Sequence, residues 1–144
     1  MIRRAFLALL LFVADPLPSQ ASDAEIRALL QTPGVHAIMR HALAPGGGDP
    51  DNFRVDDCST QRNLDARGRA QAETLGARLR DLGAGFDEIR TSQWCRCRDT
   101  AELLALGPVT EAPELNSFFQ NRAAEPEQTA ATKAYLRSLP KDRK

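Results

Sequence analysis

The 144-residue sequence is poor in the side chains that most often carry chemistry: it has two histidines, His36 and His41, and three cysteines, Cys58, Cys95 and Cys97. It also lacks charge of either sign in excess, because nineteen Lys and Arg balance nineteen Asp and Glu. That balance gives no reason to expect nucleic acid or an anionic membrane as partner. Any anion site must therefore be local. A long hydrophobic run is missing too. The apolar stretch from Ala5 to Ala14 is ten residues and stops at Asp15, half of the roughly 20 needed to cross a bilayer. With Arg3 and Arg4 before it and Ser19-Gln20-Ala21 after it, the stretch instead predicts an export signal over residues 1–21. Residues 22–144 then form one soluble globular domain in a periplasmic or secreted setting, without a membrane anchor once the signal is removed.

Metal and nucleotide motifs are equally scarce. Cys95 and Cys97 are separated by one residue rather than the two usual at zinc sites, and His36 falls on a predicted strand. Asp49, Asp51, Asp56 and Asp57 lack the alternation of a calcium loop. Gly46-Gly47-Gly48 is not followed by the Lys-Ser or Lys-Thr pair of a P-loop, so residues 44–57 read as a flexible polar loop. Three cysteines in an oxidising compartment leave one over, and Cys58 can pair with either Cys95 or Cys97. No internal repeat is present.

What is there is an alternation of helical and strand patterns. Residues 23–31 predict a short helix capped by Ser22 or Asp23 and ended by Pro33-Gly34. Val35 to Met39 predicts a buried strand with Arg40-His41 at its C-terminal end. Ala66, Ala70, Leu75, Leu79 and Leu82 recur at helical spacing after the cap Asp65, and Gly83 closes that helix. Phe86 to Ser92 predicts a second strand, Asp99 to Leu106 a helix, Gly107 to Glu111 a short third strand, and 125–139 a last helix before Pro140. Lys141 to Lys144 reads as a turn towards another strand. Strand, helix, strand, helix in this order implies an α/β fold with parallel strands.

In such sheets ligands bind beyond the carboxyl ends of the strands, where Arg40-His41 and the Ser92 to Arg96 segment are placed. A neutral imidazole can attack phosphorus, and the planar guanidinium fork binds two phosphate oxygens. Together they make a coherent set for phosphoryl transfer.

Met39-Arg40-His41-Ala42 resembles the strand-end Arg-His-Gly signature of the histidine phosphatase (phosphoglycerate mutase-like) superfamily, with Ala for Gly. Leu64-Asp65-Ala66-Arg67-Gly68-Arg69-Ala70-Gln71-Ala72 resembles that family's Leu-Ser/Thr-x-x-Gly-x-x-Gln-Ala helix start, with Asp65 as the cap. Ser92-Gln93-Trp94-Cys95-Arg96, followed by Asp99-Thr100-Ala101, resembles its Ser-x-x-x-Arg segment leading into a Thr-Ala helix. The three motifs stand in family order within residues 35–119. The resemblance implies a three-layer α/β/α domain over 22–144 with a mostly parallel central sheet. It implies a phosphomonoester or phosphate as small-molecule partner, and neither cofactor nor metal. His41 would carry the phosphoryl group, and Arg40 and Arg96 would clamp it. Arg62 resembles a basic residue near the pocket in small members of the family; as a residue it reads equally well as a surface arginine before a helix cap.

Two departures from the family pattern stand out. The family's second catalytic histidine has no counterpart, since five strand residues would put His36 about 16 Å from His41 on the opposite face. The proton-donating glutamate that often follows a leucine is replaced by Ser117, a poor general acid, with Glu111 and Glu114 as nearby loop carboxylates. The expectation is a C-terminally short chain, lacking late strands and impaired as a phosphatase. The alternatives are a non-catalytic phosphate-binding module, or an envelope interaction domain stabilised by a disulfide.

Overall fold

The helices begin where short polar side chains satisfy the free amides of a first turn. In α1 (Asp23–Gln31) the Ser22 hydroxyl accepts from the Glu25 amide, and the Glu25 carboxylate accepts from the Ser22 amide at 2.7 Å, a reciprocal capping box. In α2 (Ala66–Asp81) Asp65 Oδ1 accepts from the Gly68 amide at 2.7 Å. That helix ends at Leu82 and Gly83, whose φ of +81° is a left-handed conformation that glycine adopts without strain. These elements belong to a computed structural model, which describes residues 21–142. The expected export signal lies outside the described residues except for Ala21.

The buried stripe of α2 consists of Gly68, Ala72 and Gly76, spaced four apart along one helix face. Each is small, so neighbouring backbone packs directly on the helix. A methyl group at Gly68 would overlap the Leu43 carbonyl oxygen, and one at Gly76 would overlap the Leu104 carbonyl oxygen. The second contact joins α2 to α3 (Cys95–Leu104).

α3 is also the crossover between β1 (Ile89–Thr91) and β2 (Val109–Glu111), which pair in parallel with Ile89 opposite Val109 and Thr91 opposite Glu111. Parallel neighbours require such a crossover. Ala84, Leu104 and Leu106 form the buried cluster, with Leu30, Leu79, Phe86 and Ile89 packed against it. α4 (Glu125–Ser138) has no buried residue and is tied on by Gln128 and Thr132, whose side chains donate to the Glu114 carbonyl. Among the described residues no helix is long and apolar enough to cross a membrane.

The fold is α/β, with a small parallel sheet two strands wide. It departs from expectation most clearly at Val35–Met39, which is not a buried strand. No ladder forms there, and Val35, Ile38 and Met39 are 38%, 76% and 52% exposed. An apolar run becomes a strand only when another strand lies beside it, and β1 and β2 pair with each other. The helix expected from Asp99 starts four residues earlier, at Cys95, because the Cys95 amide donates to Gln61 Oε1 at 2.9 Å and its first turn is fixed by that tertiary contact. The expected strand 86–92 is reduced to Ile89–Thr91, although Phe86 still donates its amide to Leu106.

Candidate functional site

His41 is placed by its neighbours in sequence rather than by a sheet. The buried Ala42 amide donates to Thr100 Oγ1 at 3.0 Å, and Thr100 Oγ1 donates to the Arg96 carbonyl at 2.7 Å. The Leu43 amide donates to Gln71 Oε1 of α2 at 2.8 Å. Residues 42 and 43 are thus held between α2 and α3, where Gly68 leaves room for the Leu43 backbone.

The ring of His41 is half-buried, with Nδ1 2.7 Å from the Ala42 carbonyl oxygen. A carbonyl only accepts, so Nδ1 carries the proton and the neutral ring keeps its lone pair on Nε2. Burial lowers the His41 pKa below the ordinary histidine value, and the positive charges of Arg96, Arg40 and Arg62 lower it further, against the opposing hydrogen bond to Ala42. The imidazole is neutral at neutral pH. The three arginines named from the sequence thus all bear on the charge of this histidine. Arg40 is exposed, Arg62 is half-buried, and Arg96 is buried.

Arg96 occupies the first turn of α3 with its side chain 9% exposed. Its partner is Asp49, whose side chain is 2% exposed: Nη1 donates to Oδ1 at 2.6 Å and Nη2 to Oδ2 at 3.2 Å. Nη1 also donates to the Arg62 carbonyl at 3.2 Å. The Arg96 Nε is buried and has no hydrogen-bond partner among the described residues. Asp49 receives two further donors, the Arg62 amide and Trp94 Nε1, each at 3.0 Å. Burial pushes the Asp49 carboxyl up, but the hydrogen bonds from Arg96, Arg62 and Trp94 outweigh it and hold the pKa below the usual aspartate value.

Arg62 is drawn into the same loop, its Nε donating to the Gly48 carbonyl at 3.2 Å and its Nη1 to the Ala44 carbonyl. Burial lowers its pKa, and Arg96 and Arg40 lower it further while Asp49 opposes them. The reading of Arg62 as a surface arginine therefore gives way to one beside the cluster. Phe119 lies over Gly48, and the Arg122 guanidinium sits 5.2 Å from the centre of that ring. Trp94 stacks on Phe53 with ring centres 5.0 Å apart.

A disulfide joins Cys58 to Cys95, so of the two pairings open in the sequence this one forms, and Cys97 stays a free thiol. Gln61 reinforces the staple by accepting from the Cys95 amide and donating to the Arg54 and Val55 carbonyls. The 44–57 loop is thereby fixed to the start of α3 instead of being free.

The expected acids lie apart from this cluster. Glu111 accepts from Arg98 and Gln93, and Ser117 Oγ accepts from the Phe119 amide. His36 Nε2 lies 3.1 Å from the Pro140 carbonyl oxygen. Among the described residues no group of three or more His, Cys, Asp and Glu side chains is placed to hold a metal ion. Sequence reasoning missed Asp49, Trp94 and Thr100 as parts of the site. Thr100 alone had a local signal, its place in the Thr-Ala helix start.

A family model described as the histidine phosphatase superfamily, branch 1, matches residues 36–137, a span that contains every residue of this cluster. No curated protein matches the chain.

Proposed function

Because the chain belongs to branch 1 of the histidine phosphatase superfamily, a membership that supports a phosphatase-type function, we propose that it acts on phosphomonoesters through a phosphohistidine on His41. The observation that carries this reading is a neutral imidazole, its Nδ1 proton committed to the Ala42 carbonyl, in the field of Arg96, Arg40 and Arg62.

In the first step Nε2 attacks phosphorus, the phosphorus–oxygen ester bond breaks, and the leaving alkoxide takes up a proton. In the second step water attacks phosphorus, the nitrogen–phosphorus bond breaks, and inorganic phosphate departs with His41 neutral again. Arg40 and Arg96 offset the charge spread over the phosphoryl oxygens, which is the larger part of what such a site supplies. Arg62 adds to the same field and contacts the loop over the site.

Protonation of the leaving oxygen is the weak step. Neither His36 nor Glu111 nor Ser117 hydrogen-bonds to the cluster, so the proton comes from water. Loss of one prepositioned donor typically costs about 10²- to 10³-fold in turnover, and turnover of the 144-residue chain is accordingly slow. This feature also favours a second reading, a phosphate-binding module that retains the arginines without turnover. The Cys58–Cys95 disulfide supports an exported, oxidising setting for either one.

Alkali-quenched labelling of the 22–144 chain with a radiolabelled phosphomonoester separates the two readings. The enzyme traps acid-labile, base-stable phosphate on His41, and His41→Ala traps none. Reversible phosphate binding without covalent label identifies the binding module, and label that survives in His41→Ala refutes the assignment of the nucleophile.

A further inference from the structure

We propose that Asp49 is a positioning residue for the phosphate site: it takes the outer end of the Arg96 guanidinium and so leaves the Nε edge for phosphoryl oxygens. The inference rests on the phosphatase-type reading above and adds a residue that the sequence motifs do not contain.

A guanidinium carries five N–H donors in one plane. Two point outward between Nη1 and Nη2, two lie side by side on Nε and Nη2, and one remains on Nη1. Asp49 occupies the outward pair at 2.6 and 3.2 Å. The Arg62 carbonyl takes the remaining Nη1 proton at 3.2 Å. That leaves the Nε–Nη2 edge, a fork whose two parallel donors match two oxygens of a phosphoryl group.

The Nε end of this edge is buried and has no partner among the described residues. A buried charged donor left unpaired is costly, and a side chain only 9% exposed has little room to turn it towards water. The unpaired edge therefore points to an anion. The positive charge of Arg96 also reaches the neighbouring His41 ring.

Asp49 is itself rigid. Trp94 Nε1 and the Arg62 amide hold its two oxygens, Trp94 is stacked on Phe53, and the Cys58–Cys95 link joins the following loop to α3. Four donors thus converge on one carboxylate that contacts Arg96 on the Nη1–Nη2 edge, next to the free one. An internal stand-in for the substrate would instead compete for that edge. The two roles give opposite signs when the carboxylate is neutralised.

The test uses orthovanadate, a phosphate mimic, with the 22–144 chain as wild type, Asp49→Asn, Arg96→Gln and the double variant, thermal unfolding being followed for each. Asp49→Asn is expected to weaken vanadate binding by about tenfold or more, the scale of one lost hydrogen bond to a charged group. In the Arg96→Gln background the same change is expected to have almost no further effect, because Asp49 acts through Arg96. The unfolding curve of each variant separates that coupling from loss of fold, which would lower the melting temperature as well as the binding. Should Asp49→Asn fail to fold, Trp94→Phe removes one donor to Asp49 while keeping the ring stack, and it is expected to weaken vanadate only where Arg96 is present. Unchanged or tighter binding in the folded single variant, or equal losses in both backgrounds, overturns the inference while leaving the phosphatase reading intact. A wild-type chain that neither binds vanadate nor labels at His41 overturns both.

Discussion

Thr100 Oγ1 accepts the Ala42 amide proton at 3.0 Å, and this one hydroxyl joins the backbone beside His41 to the helix that bears Arg96. Thr100 is 3% exposed, so neither end of the link has water as a substitute. Thr100→Val keeps the shape and deletes the hydroxyl, leaving the Ala42 amide buried and unpaired. The expected loss is about 1–3 kcal/mol in chemical denaturation, accompanied by weaker phosphate binding. Thr100→Ser should recover most of both, and a Val variant as stable as wild type would show that the link contributes nothing.

The two close approaches along α2 separate stability from function. Gly76→Ala drives a methyl group into the Leu104 carbonyl at the α2–α3 crossing, and overpacking of this kind typically costs about 1–3 kcal/mol. Gly68→Ala meets the Leu43 carbonyl instead, two residues from His41. Its expected signature is a fall in phosphohistidine labelling larger than the fall in melting temperature would account for. Equal labelling in the two variants, at equal folded fraction, would contradict this division.

The Cys58–Cys95 bridge spans 37 positions in sequence. Closing a loop of that size in the unfolded chain stabilises the native state by about 3–4 kcal/mol in the chain-entropy account. Cys58→Ser with Cys95→Ser should show that loss in urea denaturation, and so should wild type under reductant. Cys97→Ser should not, since its thiol is free. Thiol titration of the native oxidised chain should count one reactive group.

Acid should destabilise the protein in two steps. Burial and the fields of Arg96, Arg40 and Arg62 lower the His41 pKa. Between that lowered value and the unfolded value near 6.5, the unfolded chain holds a proton that the folded chain does not. Stability therefore rises with pH through this window and is complete above it. The Asp49 carboxylate is held below its ordinary value, so its contribution is complete above about pH 4 and is lost as pH falls through the folded value. Glu25 and Asp57, lowered by hydrogen bonds from Ser22 and Ser59, share that lower step. Denaturation at stepped pH should show His41→Gln without the upper step and Asp49→Asn with a smaller lower one. A wild-type chain that loses stability between pH 5 and 8 as pH rises would contradict the lowered His41 value.

Helices were the most legible part of the sequence, since their determinants are local. Ser22 and Asp65 act as caps where they were expected, and α1, α2 and α4 fall within two residues of the expected ranges. Strand Val35–Met39 failed because a ladder depends on a partner far along the chain. The motif residues His41, Arg40, Arg62 and Arg96 were named from the sequence, and their charges do act on one another. Asp49 was illegible: it is one of four aspartates in the 49–57 stretch, and only the tertiary approach of Arg96 and Trp94 separates it from Asp51, Asp56 and Asp57.

The slight attachment of α4 sets the order in which the backbone opens. A helix with no fully buried residue, hydrogen-bonded to the rest of the domain through the side chains of Gln128 and Thr132, should give up its amide protons through local fluctuations, at a free energy well below that of global unfolding. The amides buried where α2 meets α3, beneath Gly76 and around Thr100, should exchange only when the domain opens as a whole. His41 and Arg96 both hang from that slow-exchanging unit, so the fraying of α4 leaves the spacing between them undisturbed.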